Sequence, residues 1–269
     1  MKKLAVIMSL YKNDKLDFLK LSVESILKQT FSEFDFYIQF DGEIRKECEL
    51  YLKNLNDNRV IIFERDENKG LAVSLNDLLK QILPKKYTYI ARMDADDIST
   101  TNRFQKQITF LENNTDIDSL GSFAIEIKED GSEFYKKQMP KSHIECLQLF
   151  QKRDCYIHPT VMFRKTYFEK AGLYPEDTYF GEDTMMWANG FAKQCTFSNL
   201  PEYLLYFRLD NNFFERRRGW KHAKSIFLLR RRVNKLLNFG IKADIFALLY
   251  ATAKLMPKFV LNLIYKTAR

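Results

Sequence analysis

Residues 87–98, Tyr-Thr-Tyr-Ile-Ala-Arg-Met-Asp-Ala-Asp-Asp-Ile, carry an apolar strand directly into three carboxylates. The strand is predicted over Tyr87–Met93, and the three aspartates follow within four residues. Carboxylates this close repel one another unless a cation lies among them, and oxygen ligands of this kind suit Mg²⁺ or Mn²⁺. The stretch therefore predicts either a metal–diphosphate site or an acidic turn before the helix that is expected to begin near Arg103.

Short apolar strands alternate with helical patterns on both sides of this stretch. Further strands are predicted at Leu4–Leu10, Phe36–Phe40, Val60–Phe63, 119–127, Thr160–Arg164 and Tyr203–Arg208, and helices at Leu16–Lys28, Leu71–Leu83 and Asp183–Lys193. Repeated strand–helix units predict an α/β fold with a Rossmann-like, mostly parallel central sheet flanked by helices. Ligands of such sheets bind beyond the carboxyl ends of the strands, where both Asp41 and Asp94 are expected to lie.

The composition describes a folded protein with a sizeable core. Of the 269 residues, 46% are apolar and 29% are charged, which is typical of globular domains. The four cysteines include no Cys-x-x-Cys pair, which argues against a structural zinc site or a disulfide framework and suits a reducing compartment. The start of the chain shows no cleavage pattern, so no signal peptide is predicted.

The net charge of +8 is concentrated at one end of the chain. Residues 203–269 carry 15 Lys and Arg against 3 Asp and Glu, a net of +12, and the rest carries −4. An amphipathic helix is predicted from Trp220. Its apolar face is formed by Ile226, Leu229, Val233, Leu236 and Leu237.

A second apolar segment, Ile245–Tyr265, follows a break at Gly240. Lysines and a proline near its middle disfavour a spanning helix and favour a kinked helix in a membrane interface. We therefore expect a catalytic domain at residues 1–215 and a basic amphipathic helical extension at 216–269. Residues 220–269 are expected to bind an anionic membrane surface.

The ordered set of motifs resembles glycosyltransferase family 2, whose members have the GT-A fold. The matching pieces are Val6–Tyr11, Ser25–Gln29, Asp41-Gly42, Asn68–Leu71, Asp94-Ala95-Asp96-Asp97, Arg103 with Gln107, His158-Pro159-Thr160 and Glu182-Asp183. They cover about residues 3–210. The strings 91–98 and 158–164 are most similar to the subgroup that builds bacterial surface polysaccharides, including the amylovoran-type transferases.

The resemblance implies a role for each matching residue. Asp41 accepts a hydrogen bond from the uracil of a UDP donor, Asp94 contacts the donor's ribose or sugar, and Asp96 binds Mn²⁺ or Mg²⁺. Asp183 is the general base that takes the proton of the acceptor hydroxyl. The other substrate-binding residues are Ser9, Tyr11, Asn68, Arg92 and Glu182.

The resemblance also implies the reaction and its setting. A single base without a second catalytic carboxylate suits inversion by direct displacement. The donor is a UDP-hexose, with galactose or glucose expected, and the acceptor is a saccharide on polyprenyl diphosphate. The enzyme is expected to act as a peripheral protein at the cytoplasmic face of the bacterial inner membrane.

Several of these residues have a simpler explanation. Asp41 begins a turn, Asn68 and Gly70 suit an ordinary loop-to-helix junction, and the acids Glu182-Asp183 favour a helix dipole. Arg92 suits either a diphosphate or a structural partner. His158 is better explained as a satisfied core histidine than as a catalyst, and Arg103 with Gln107 as structural.

Two other functions remain as alternatives. A nucleotidyltransferase also places carboxylates and a metal on such a sheet, but it needs a glycine-rich loop after the first strand, and residues 9–14 contain no glycine. A basic membrane- or nucleic-acid-binding protein fits the extension but not the acidic body. Aromatic residues of the extension lie among Leu, Ile and Ala rather than between basic residues, so no nucleic-acid partner is expected.

Overall fold

Strands and helices alternate along the chain as the apolar pattern predicts. The computed structural model describes residues 3–210 and 217–256. Their strands are β1 (Leu4–Leu10), β2 (Phe34–Phe40), β3 (Val60–Phe63), β4 (Tyr89–Arg92), β5 (Ile98–Ser99), β6 (Ser119–Lys128), β7 (Glu133–Lys137), β8 (Met162–Arg164) and β9 (Phe197–Leu209). Their helices are α1 (Leu16–Leu27), α2 (Lys46–Lys53), α3 (Leu71–Ile82), α4 (Arg103–Asn113), α5 (His143–Phe150), α6 (Lys165–Ala171), α7 (Glu182–Ala192), α8 (Trp220–Leu236) and α9 (Ile241–Ala253), and a 3-10 turn lies at His158–Thr160.

The strands of the described ranges join one sheet in the order β3-β2-β1-β4-β8-β6-β9-β5, and β7 pairs with β6 outside this path. The first four run parallel, whereas β8 is antiparallel to both β4 and β6. The predicted α/β fold with a Rossmann-like parallel half is confirmed, and the half beyond β4 is mixed. The carboxyl ends of β1, β2 and β4 therefore meet at one edge.

The core lies on both faces of this sheet. Along β1, Val6 and Met8 belong to one hydrophobic cluster, whereas Ala5 and Ile7 belong to a second. Successive side chains of a strand point to opposite faces, so helices cover the sheet on both sides. Burial on both faces explains why β1 is a continuous apolar run rather than an alternating one.

The sequence pattern missed the short elements α2, α5, α6, β5 and β7. Helix α5 carried a usable signal, because Ser142 and Glu145 form a capping box at its start. Strand β7 is mostly exposed, and β5 has two residues, so neither shows the apolar alternation by which strands are recognised.

Helix α8 packs against the body of the protein. Leu229 and Val233 are 6% and 0% exposed, and Ile226 and Leu237 pack against the same cluster. Only Leu236 of the predicted apolar face is well exposed, at 41%. Packing against the protein therefore occupies the face that was expected to meet a membrane, and the division of the chain at residue 215 stays a prediction.

Helix α9 presents two different faces. Its alanines at 243, 247 and 251 are buried, whereas the opposite side exposes Ile241, Ile245, Leu248 and Leu249. Within residues 3–210 and 217–256, no helix has both the length and the apolar content needed to cross a membrane. The kink expected at Pro257 lies outside the described residues.

Candidate active site

The loop after β4 brings three carboxylates together. Oxygen atoms of Asp94, Asp96 and Asp97 lie within 4.8 Å of one another. The hydroxyl of Ser22 on α1 donates to the Asp94 carbonyl oxygen at 2.7 Å, and the backbone N–H of Arg208 on β9 donates to the Asp97 carboxylate at 2.8 Å. The predicted acidic cluster is confirmed, and α1 and β9 hold it in place.

The electrostatics of this acidic cluster favour a bound cation. Burial raises the pKa of Asp96 to about 7, and repulsion from Asp94 contributes further. Burial raises the pKa of Asp97, and repulsion from Asp96 and Asp94 raises it further. Its Oδ2 atom is buried without a hydrogen-bond partner in the part of the chain described. An all-oxygen cluster of crowded carboxylates fits Mg²⁺ or Mn²⁺.

Arg92, the last residue of β4, connects the acidic cluster with the rest of the site. It is 2% exposed and forms an ion pair with Asp94. Its Nε and Nη1 groups are buried and have no hydrogen-bond acceptor among the described residues. Asp94 is thus the structural partner foreseen for Arg92, and the donors on Nε and Nη1 remain without an acceptor among the described residues.

The carboxyl end of β2 is tied to the loop before α3. Asp41 is 3% exposed, and its carboxylate accepts hydrogen bonds from Arg65 and from the backbone N–H groups of Lys69 at 2.8 Å and Gly70 at 2.9 Å. The Asn68 amide donates to the Asp41 carbonyl oxygen at 3.0 Å. Asn68 and Gly70 therefore do form a loop-to-helix junction, and their contact with a ligand stays a prediction.

The loop after β1 adds a carboxylate that the sequence pattern missed. Ser9 and Tyr11 are half-buried, and the backbone N–H of Tyr11 donates to Asp14 Oδ2 at 2.8 Å. Burial raises the pKa of Asp14 to about 8, and repulsion from Asp96 and Asp94 adds to this. Asp14 therefore lies beside the acidic cluster, and its position just past a strand end was the available signal.

Glu182 and Asp183 form the first turn of α7. The helix begins after Gly181, which has a φ of 86°, and the Asp183 carboxylate accepts the Thr184 backbone N–H at 2.7 Å. Burial raises the pKa of Asp183 to about 7, with repulsion from Asp154 and then from Glu182. A carboxyl group with this pKa is well matched to accepting a proton at neutral pH.

Arg92 interacts electrostatically with both the acidic cluster and the start of α7. Arg92 pairs with Asp94, and its positive charge opposes the rise in the pKa of Asp183. The pKa of Tyr174 is raised by burial and also responds to Arg92, Asp183 and Asp94. The structure thus brings a candidate metal site and a candidate base together around one buried guanidinium.

His158 belongs to the aromatic core. Its Nε2 shares a hydrogen bond of 2.9 Å with the Tyr174 hydroxyl, and its ring lies edge-on to Trp187 with 5.6 Å between centroids. Burial lowers the pKa of His158, and the charge of Arg92 lowers it further, so the ring is neutral at pH 7. The expectation of a satisfied core histidine is confirmed.

Arg103 and Gln107 stabilise the backbone around the site. Both are fully buried and bonded to each other at 3.0 Å. Arg103 donates to the Arg92 carbonyl oxygen at 2.9 Å, while Gln107 donates to the carbonyl oxygens of Leu120 and Thr160. Their predicted structural role is confirmed.

Arg208 fastens the acidic loop to the neighbouring strands. Its Nε donates to the Asp96 carbonyl oxygen at 2.9 Å, and its Nη1 donates to the carbonyl oxygens of Lys128 and Glu129. The guanidinium lies over the Phe18 ring, 4.2 Å from its centroid. These contacts with the protein explain why Arg208 is 4% exposed.

The chain has relatives among curated glycosyltransferases. Residues 5–172 match the model of "Glycosyl transferase family 2". The chain is 29% identical to the amylovoran biosynthesis glycosyltransferase AmsE of Erwinia amylovora over 98% of both proteins. It is 30% identical to the UDP-Gal:alpha-D-GlcNAc-diphosphoundecaprenol beta-1,3-galactosyltransferase of Escherichia coli, over 83% of this chain and 80% of that protein. It is 33% identical to the O-antigen biosynthesis glycosyltransferase WbnJ of Escherichia coli, over 77% and 80%.

Solved structures share the fold. S. aureus TarS 1–349, in complex with UDP-GlcNAc, superposes with a TM-score of 0.64 at 17% identity over 96% of this chain and 82% of that one. The mannosyltransferase PcManGT of Pyrobaculum calidifontis, in complex with GDP-Man and Mn²⁺, gives a TM-score of 0.60 at 12% identity over 99% and 79%. These likenesses confirm the predicted GT-A fold. With a family model covering more than half of its length, the chain belongs to glycosyltransferase family 2.

Proposed function

We propose that the chain is an inverting hexosyltransferase of bacterial surface-polysaccharide synthesis, which moves a sugar, galactose or glucose, from a UDP-sugar to a saccharide on polyprenyl diphosphate. The observation that carries the proposal is that the buried Arg92 interacts with both the acidic cluster and Asp183. The names of the relatives support it, since they concern amylovoran, O-antigen and a diphosphoundecaprenol acceptor.

The donor's diphosphate would lie beside the acidic cluster and Arg92. Asp94, Asp96 and Asp97 would hold Mg²⁺ or Mn²⁺, which when bound neutralises charge on the departing diphosphate. The unpaired donors on Nε and Nη1 of Arg92 suit a phosphate oxygen, because a guanidinium binds such oxygens with several donors. Without a ligand these donors remain buried and unsatisfied, and that burial costs free energy. A bound phosphate oxygen would remove this cost.

The nucleoside fits the edge formed by β1 and β2. Asp41 Oδ2 accepts one hydrogen bond, from Gly70, and a carboxylate oxygen accepts about two. The remaining acceptor position suits the N–H of uracil. Ser9 and Tyr11, at the end of β1, and Asn68 would complete the donor side of the site.

Asp183 would supply the base for the transfer. The acceptor hydroxyl gives its proton to the Asp183 carboxylate, and its oxygen forms a bond to the anomeric carbon. The bond between that carbon and the diphosphate oxygen breaks on the opposite face, so the configuration inverts. Glu182, in the same turn, would contact the substrate.

Thermal unfolding with a panel of nucleotide-sugars tests the donor assignment. We expect UDP-galactose or UDP-glucose to raise Tm in Mn²⁺ and to lose this effect in EDTA, with GDP-mannose as the control. A ligand at 100 times its Kd stabilises the folded state by about 2.7 kcal/mol, which raises Tm by several degrees. A larger effect of GDP-mannose, or no effect of any UDP-sugar, would contradict the proposal.

We also propose that the protein works at the cytoplasmic face of the inner membrane as a peripheral protein. The support comes from α9, which exposes four large apolar side chains, and from the net charge of +12 on residues 203–269. An apolar helix face flanked by basic residues binds anionic lipid surfaces through both contributions.

Vesicle sedimentation tests the membrane proposal. We expect the full chain to sediment with phosphatidylglycerol vesicles at low salt. Ile245→Ser with Leu249→Ser, at positions 54% and 61% exposed, should reduce binding about 10-fold or more, because each lost side chain removes roughly 1–3 kcal/mol of apolar burial. Leu50→Ser, at a 52% exposed position on α2, is the matched control. Equal sedimentation of all three proteins would exclude α9 as the membrane-binding face.

A further inference from the structure

Helix α8 contacts Gly181, which lies two residues before the candidate base. A Cβ atom built on Gly181 would overlap the Cδ2 atom of Leu229, and Leu229 is 6% exposed. Gly181 also has a φ of 86°, a backbone conformation that residues with a Cβ atom rarely adopt. The start of α7 is thus fitted closely against α8.

A chain of hydrogen bonds connects α8 to the same turn. Arg230 is 3% exposed, and its Nη1 donates to the Phe150 carbonyl oxygen at 3.2 Å. Its Nη2 donates to Asp154 Oδ1 at 3.0 Å. That oxygen also accepts the hydroxyl of Thr184 at 2.9 Å, and Thr184 directly follows Asp183. One carboxylate oxygen therefore joins α8 to the first turn of α7.

Charged groups face Asp183 from several elements. After burial, Asp154 contributes most to the raised pKa of Asp183, followed by Glu182, while Arg92 acts in the opposite direction. The pKa of Tyr174 also responds to Arg92, Asp183 and Glu182. Arg230 influences Asp183 indirectly, because its positive charge is paired with Asp154.

We propose that Arg230 of α8 is a positioning residue of the active site, which acts through Asp154 and Thr184 on the first turn of α7. Arg230 fixes the Asp154 carboxylate, and Asp154 fixes Thr184 and repels a negative charge on Asp183. Arg230 therefore connects α8 to the active site, although α8 lies outside the residues that match the family model. This inference rests on the proposed role of Asp183 as the base.

The pH dependence of kcat tests this role. In the wild type we expect kcat to fall below a pH of about 7, because the base must be ionised and the pKa of Asp183 is about 7. Arg230→Met leaves Asp154 without its counter-charge. The acidic limb of the pH profile, where kcat falls, should therefore move to higher pH by about one unit. Asp154→Asn removes the repulsion and should move the limb to lower pH.

Two further variants separate charge from structure. Arg230→Lys retains the positive charge and should keep the wild-type limb. The double variant Arg230→Met with Asp154→Asn should lie between the two single variants, since it removes both charges. Arg232→Met is the matched control, because Arg232 on the same helix pairs with the exposed Asp177 and should leave the limb unchanged.

The outcomes distinguish this inference from the proposed function. If the limb is the same in Arg230→Met, Asp154→Asn and the wild type, Arg230 only supports the fold and the inference is wrong. If Arg230→Met does not fold, Arg230→Gln replaces it in the same comparison. If Asp183→Asn keeps near-normal turnover, the proposed base itself is wrong, whatever the other variants do.

Discussion

Asp183→Asn is expected to lower kcat by about 10²- to 10⁴-fold, the usual contribution of a general base, while donor binding stays near normal. The amide keeps an oxygen that can accept the Thr184 N–H, which lies 2.7 Å from the Asp183 carboxylate, so the turn should keep its shape. The amide cannot accept the acceptor's proton. Single-turnover transfer from a radiolabelled UDP-sugar, together with calorimetric binding of the donor, measures both effects.

The control for this variant is a neighbouring exposed acid. Asp177 has a side chain that is 64% exposed and paired with Arg232, so Asp177→Asn should retain wild-type kcat. Loss of donor binding in Asp183→Asn would mean that the turn holds the nucleotide rather than the acceptor. Unchanged kcat would assign the base to another residue.

Asp96→Asn is expected to abolish the metal-dependent part of donor binding and to raise the donor KM at least about 10-fold. The substitution removes one of three carboxylates whose oxygens lie within 4.8 Å of one another, and a neutral amide is a weaker ligand for Mg²⁺ or Mn²⁺. Without metal, the variant should be at least as stable as the wild type, because it relieves repulsion among buried carboxylates. Simple disruption of the core would instead lower stability in both conditions.

Metal titration of donor binding is the decisive measurement for Asp96. The wild type should show a rise in Tm with UDP-sugar that saturates with Mn²⁺, and Asp96→Asn should respond no more than the wild type in EDTA. Asp116→Asn, at an exposed position after α4, serves as the control and should respond like the wild type. Identical metal titration curves for Asp96→Asn and the wild type would remove Asp96 from the site.

The acidic cluster could be predicted because its signal is local. The apolar strand fixes where the three aspartates emerge, and burial at the strand end follows from the α/β pattern. Asp14 was missed for the opposite reason. Its closeness to Asp96 exists only because β1 and β4 are neighbours in the sheet, and strand order is not written in either segment.

The structural role of Asp41 is determined by hydrogen-bond partners from a distant loop. Its position at a strand end was predictable, but its bonds to Arg65, Lys69 and Gly70 come from a loop more than twenty residues further along. A turn-forming aspartate and a loop-fixing aspartate look the same in sequence. The distinction lies in tertiary structure, since local patterns report only on neighbours along the chain.

The two C-terminal helices illustrate a second limit. An amphipathic pattern indicates that one face of a helix avoids water, but it does not indicate whether protein or lipid covers that face. In α8 the face is covered by protein, with Val233 fully buried. In α9 the alanine face meets the protein and the larger residues remain outside. Arg230 of α8, although it is a basic residue, is also only 3% exposed.

The attachment of α8 to the catalytic core has a consequence for chimeric enzymes. A junction placed before α8 would separate Leu229 from Gly181 and Arg230 from Asp154, whereas a junction at Gly240, between α8 and α9, leaves both contacts within one parent. In chimeras built from this chain, α8 should therefore come from the same parent as the catalytic core. The exchanged segment should begin with α9.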